Sequence, residues 1–268
     1  SVARLQENAR LALAIIAQDL RMAGYWGLTN RADLLALNAS SSFPSGCGAG
    51  WTTDLAHPVA GRDDGYGAAC AAAGGGAVAG TDLLVIRRAS AERLMPQSAT
   101  LPAAQRTRVL LVTSRTGGEL FIPAQTGNVL PSGYATSDVA GQPPLADTRA
   151  LLVDAYYVSR NSSVANGYPA LRRKTLIAGP AIGEEELVPG VEDLQVRFGV
   201  DSDGDGRVDA YANPGAVAAS ATVLEARVWL RLRALEFDAA PVPPVTFDYA
   251  GRHVTAPECL RRLDTVLP

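Results

Sequence analysis

The apolar pattern of this chain changes period once, and that change limits what it can fold into. Leu5, Ala9, Ala12, Ile16, Leu20 and Ala23 recur three or four residues apart, Leu13 widens the stripe, and Glu7, Arg10, Gln18 and Arg21 fall mostly elsewhere around the wheel. That spacing predicts one amphipathic helix of about six turns. Gly24 and Gly27 stop it, as glycine commonly does just past a helix end. From residue 81 the residues alternate or form short runs instead: TDLLVIRRA, RVLLVTS, ELFIP, ALLVDAYYVSR, LRRKTLIA, VEDLQVRFGV and TVLEARVWLRLRALEF. Such runs, punctuated by Gly, Pro and Asn, are strands. In the last, Val223, Glu225, Arg227, Trp229, Arg231 and Arg233 alternate with Leu224, Ala226, Val228, Leu230 and Leu232, so one face is core and the other wet. One N-terminal helix packed on a largely antiparallel sheet head is the α+β class.

Between the two regimes, residues 38–80 are dominated by Ser, Gly, Ala and Asp without a period and read as long loops tied down locally. Cys47 and Cys70 lie in that stretch, and a bridge there would contribute roughly 3 kcal/mol by restricting the unfolded chain. Cys47–Cys70 is the preferred pair, although three cysteines with Cys259 allow three pairings. A bridge implies an oxidising compartment.

With 47% apolar residues among 268 there is material for a core, and 19% charged residues with 26 Gly and 17 Pro point to a loop-rich protein. A net charge of −3 supplies no global basic field for nucleic acid. Arg87–Arg88 and Arg172–Lys174 read as solvated strand edges, and Glu184–Glu186 as an exposed loop charge. No run of eighteen apolar residues marks a membrane span. His57 and His253 are the only histidines, and the glycines of GGGAVAGTDLLVI precede a strand, whereas a phosphate loop follows one. No nucleophile or acid/base constellation emerges, so the chain reads as a non-enzyme without a small-molecule substrate.

The densest chemistry is DSDGDGRVD at 201–209. Asp201, Asp203, Asp205, Arg207 (through its carbonyl) and Asp209 fall at positions 1, 3, 5, 7 and 9 of an EF-hand-like calcium loop, with Gly206 at the sharp turn. Position 12, where a bidentate Glu belongs, is Ala212, and the preceding segment alternates like a strand. Two readings follow: a structural calcium site completed by a ligand from elsewhere, or a solvated Asp-Gly turn.

QENARLALAIIAQDLRMAGYWG is similar to the helix end of a type IV pilin-like protein. Together with GTDLLVIRRAS, LVDAYYVSRN, ELVPGVEDLQVRFGVDSDGDGRVDAY and ARVWLRLRA, in order over residues 6–235, it resembles the PilW family of minor pilins. The resemblance implies a cleaved leader and an apolar helical segment ahead of residue 1, anchoring the chain in the inner membrane. Residues 1–27 would then be the second half of a stem helix and 28–268 a β-rich head. It further implies a protein of the bacterial envelope that joins other minor pilins to prime a pilus and sits near its tip. The major pilin and a tip adhesin are further partners, and adhesion and twitching motility the cellular outputs. Pilin helices bundle side by side, so the resemblance implies that Leu5, Ala9, Ala12 and Ile16 form the partner interface, on a stripe that serves both its own head and neighbouring subunits. A type II secretion pseudopilin shares this plan, and a secreted calcium-stabilised enzyme is the alternative of a different class.

Overall fold

The computed structural model describes residues 2–94, 101–134, 147–235, 244–255 and 262–267, the last six by their backbone. Its helix, α1, spans Val2–Arg21 and ends before Gly24, whose φ of 73° only glycine adopts freely. The strands among the described residues are β1 (Leu35–Leu37), β2 (Val59–Arg62), β3 (Leu83–Ala89), β4 (Leu110–Thr113), β5 (Gly118–Phe121), β6 (Asp147–Ser159), β7 (Ala170–Ile177), β8 (Ala181–Pro189), β9 (Val191–Asp201), β10 (Ala210–Ala212), β11 (Thr222–Arg233), β12 (Thr246–Tyr249), β13 (Arg252–Thr255) and β14 (Arg262–Leu267).

A large sheet runs β1-β5-β4-β6-β3-β2, with β7 pairing β6 and β8 pairing β7. Every ladder is antiparallel except β1 on β5. β6 is its spine: it pairs with β3, β4 and β7. Both of its faces are covered, which is why ALLVDAYYVS is apolar almost throughout. A second sheet, β10-β9-β11-β14, closes over one face of the first. Leu84, Ile86, Tyr156, Val158 and Leu171 meet Leu194, Val196, Phe198, Val228, Leu230 and Leu232 there, with α1 in the same cluster. The opposite face of β3 and β6 carries Leu83, Val85, Val153 and Tyr157 and is covered by Trp26, Trp51 and Leu55.

The alternation expected of β11 holds for Val228, Leu230 and Leu232, all fully buried, and fails at Leu224, which is 45% exposed. A register shift between Val223 and Glu225 against β9 leaves Leu224 without an opposite residue, and such a bulge turns a side chain off its face. The other face of β11 is not fully wet, because the β12–β13 hairpin lies against it. Tyr249 is 6% exposed, donates to Asp193 at 2.5 Å and accepts from Arg231 at 2.5 Å.

Two charge runs differ from expectation. Arg172, Arg173 and Lys174 on β7 stand opposite Glu186, Glu185 and Glu184 on β8, so the acidic run is a strand, not a loop. Arg172 bonds Glu186 at 2.7 Å, Lys174 pairs with Glu184 at 2.5 Å, and Arg173 pairs with Glu185. Cross-strand pairs of opposite sign hold register. Arg87 and Arg88 are buried instead of solvated. Arg87 donates at 2.9 Å to the carbonyls of Trp51 and His57, and Arg88 reaches Asp19 of α1. Cys47 and Cys70 form a disulfide, which closes the loop that supplies both of Arg87's acceptors. Cys259 lies outside the described residues.

Candidate functional site

Asp201 closes β9 and is 5% exposed. Its two oxygens accept the N–H groups of Gly204 at 2.7 Å and Gly206 at 2.9 Å. Both glycines need φ above 80°, a conformation that brings their amides inward at little cost. These bonds hold the Asp201 carboxyl below its ordinary range, the Gly206 amide most of all. Asp209 accepts Ser202 N–H at 2.8 Å and the Ser202 hydroxyl at 2.5 Å, which lowers it likewise. One oxygen each from Asp201, Asp203 and Asp209 lie within 4.8 Å of one another. Asp205 is not in that group, and one of its oxygens takes Arg207 N–H at 2.8 Å. Ala212 is paired with Phe198 on β10 and offers no carboxylate. A hard, all-oxygen donor set of three carboxylates fits calcium in kind.

A second acidic group escaped the sequence reading: Asp63, Asp64 and Asp82 also bring carboxylate oxygens within 4.8 Å. Asp82 is 1% exposed and accepts the N–H of Asp64 at 2.9 Å and of Val196 at 2.7 Å. Burial pushes it up to about 7. The adjacent pair in RDDGYG was visible in sequence, but Asp82 joins it only through the fold. Two adjoining cavities of about 400 and 300 Å³ share Pro58, Val59 and Val223, and Asp54 and His57, 2.8 Å apart, line the larger.

The helix face expected to meet partners is the third candidate. Leu5, Ala9, Ala12 and Ile16 are between 0 and 5% exposed, all within the protein's own core. That corrects the expectation that this stripe is open to neighbours. Burying a side chain such as Leu5 or Ile16 contributes roughly 1.5–3 kcal/mol, a gain the chain realises by itself. What α1 leaves open is the opposite face, including Arg10, Leu11, Ala14, Gln18 and Arg21, with Leu11 49% exposed.

A buried ionic node fixes which way α1 faces. Asp19 is 3% exposed, accepts Arg88 at 2.6 and 3.0 Å and the Tyr156 hydroxyl, and has Arg173 at 3.8 Å. Asp154 lies beside it, 3.6 Å from Arg173 and pushed up to about 6 by burial. Residues from β3, β6 and β7 thus converge on one carboxylate of the last helical turn, and burying a charge requires such partners. Sequence reasoning missed Asp19; the signal was an acid next to the apolar stripe at the helix end.

No curated protein and no solved structure matches the chain. A family model does match, over residues 155–267: PilW, Type IV Pilus-assembly protein W. The matched span runs from within β6 through the β7–β8 ladder, the second sheet with its acidic loop, and the β12–β13 hairpin. Over these residues the chain is similar to the PilW family of type IV pilus-assembly proteins.

Proposed function

We infer that this protein is a minor pilin that joins other minor pilins to prime assembly of a type IV pilus and stays near its tip. The family implies a role in pilus assembly and hence the cell envelope, and it is a family of assembly proteins, not of known enzymes. The observation that carries the finer reading is an amphipathic helix laid along a β-rich body with one side still open. Among the described residues no helix is long and apolar enough to cross a membrane. The partner surface is the open face of α1 around Leu11 and Ala14, in place of the buried stripe. The 201–209 loop is a structural calcium site that adds binding free energy to folding outside the cytoplasm.

The test is Leu11→Glu with Ala14→Glu. Exposed helix positions tolerate charge within about 0.5 kcal/mol, so the variant stays folded by circular dichroism. Capture of the other minor pilins and the number of pili per cell both fall. Unchanged capture and piliation from a folded variant would mean that the open helix face is not the assembly surface.

A further inference from the structure

β1 ends the path of the large sheet, and β5 uses only one of its two edges. The N–H of Asn38 donates to the Leu120 carbonyl at 2.9 Å. Because alternate residues of a strand direct their backbone groups to the same side, Ala36 also faces β5, while Leu35 and Leu37 face away. The Leu35 N–H is already taken by the Ala32 carbonyl. That leaves the Leu35 carbonyl and both backbone groups of Leu37 on the outer edge. The side chains there are apolar and open: Leu34 is 36% exposed and Leu37 49%. No charged residue occurs between Asp33 and Asp54, and Asp33 is neutralised by Arg31.

Sheet edges are ordinarily defended by charge, proline or irregularity. β8 has Glu184–Glu186 and a register shift against β7, and β2 has Arg62, with Pro214 packed at Gly61. Among the described residues β1 carries none of these, and its one defence is its length of three residues.

We propose that the outer edge of β1 is a homotypic pairing site, where a second copy of this chain adds its own β1 antiparallel. The edge suits itself. It brings no like charges together, and Leu35-Ala36-Leu37 reads the same in both directions. Full overlap sets Ala36 opposite Ala36 of the second copy and Leu35 opposite its Leu37. Each Leu37 N–H then donates to the Leu35 carbonyl across the two-fold axis. Three residues and two hydrogen bonds bury far less than the roughly 1,200 Å² of a stable interface, so the contact operates where subunits are already concentrated.

Ala36→Cys, in a Cys259→Ser background, tests the register directly. Opposed residues of a non-hydrogen-bonded antiparallel pair have Cα atoms about 4.5 Å apart, within disulfide reach. At about 200 µM under mild oxidation the covalent dimer forms at least about fivefold more than from Val164→Cys, a 77% exposed control. Adding Leu37→Pro returns it to control, because proline removes only the outward N–H and leaves the β1–β5 ladder intact. A yield no higher than the control, a yield indifferent to Leu37→Pro, or cross-linking to other subunits alone overturns the proposal. Should Ala36→Cys fail to fold, sedimentation equilibrium on the wild type and on Leu37→Pro decides: concentration-dependent association lost in the variant supports it, and identical monomers refute it.

Discussion

Cutting the disulfide should cost more than the loop entropy alone, because the loop it closes also solvates a buried cation. Cys47 and Cys70 are 23 residues apart. On the chain-entropy account, closing a loop of that length stabilises the fold by about 3.4 kcal/mol. The same loop gives Arg87 its two carbonyl acceptors, Trp51 and His57, both at 2.9 Å. Arg87 is 5% exposed, and burial already pulls its guanidinium below the ordinary range. A loosened loop withdraws those acceptors, and an unsatisfied buried group costs a further 1–3 kcal/mol or so. Cys47→Ser with Cys70→Ser is therefore expected to lose about 4–6 kcal/mol, whereas in an Arg87→Met background the same pair loses only the entropic part, about 3.4 kcal/mol. The coupling between bridge and arginine is thus at least about 1 kcal/mol. Urea unfolding followed by the fluorescence of the buried Trp26 and Trp51 measures all four corners of the cycle. Additive losses would refute the link between loop and cation, and a total loss under about 1 kcal/mol would refute the whole account.

Asp19→Ala leaves Arg88 and the Tyr156 hydroxyl buried without their acceptor, so it is expected to cost about 3–5 kcal/mol in denaturant titration, whereas Gln18→Ala on the open face changes stability by less than about 0.5 kcal/mol. Asp82 and Asp154 have folded pKa values raised to about 7 and about 6 from an unfolded 3.8. The folded form therefore binds these protons more tightly, and its stability rises as pH falls through 7 and then 6, until both unfolded carboxyls are also protonated. Melting temperature followed from pH 8 to pH 5 should rise, and Asp82→Asn should flatten the upper part of that rise. Calcium added to chelated protein should raise the melting temperature, with about 2.7 kcal/mol gained at a hundredfold excess over Kd; Asp201→Asn with Asp209→Asn should remove that response.

Some of the architecture was legible because it is written in local periodicity. The stripe from Leu5 to Leu20 specifies a helix by spacing alone, and the runs around Leu83–Ala89, Asp147–Ser159 and Val191–Asp201 specify strands. Asp201-Ser202-Asp203-Gly204-Asp205-Gly206 specifies a tight turn whose amides bond its own carboxylates, since all partners lie within a few residues. β8 was missed because three glutamates in a row mask its alternation until Arg172, Arg173 and Lys174 are seen opposite them.

What only the tertiary structure decided is which groups share a neighbourhood. Periodicity says that Leu5, Ala9, Ala12 and Ile16 must be buried, but not by what; the two sheets cover them, and Leu11 is left outside. Arg87 and Arg88 look like surface charges until loop carbonyls and Asp19 arrive from 30 to 69 residues away. Asp82 becomes part of an acidic group only when β3 brings it to Asp63 and Asp64. The division follows from range: a residue's backbone conformation responds to neighbours within a turn or two. Burial, pairing and charge state are set by contacts between distant segments, whose free energy exists only once the chain has closed on itself.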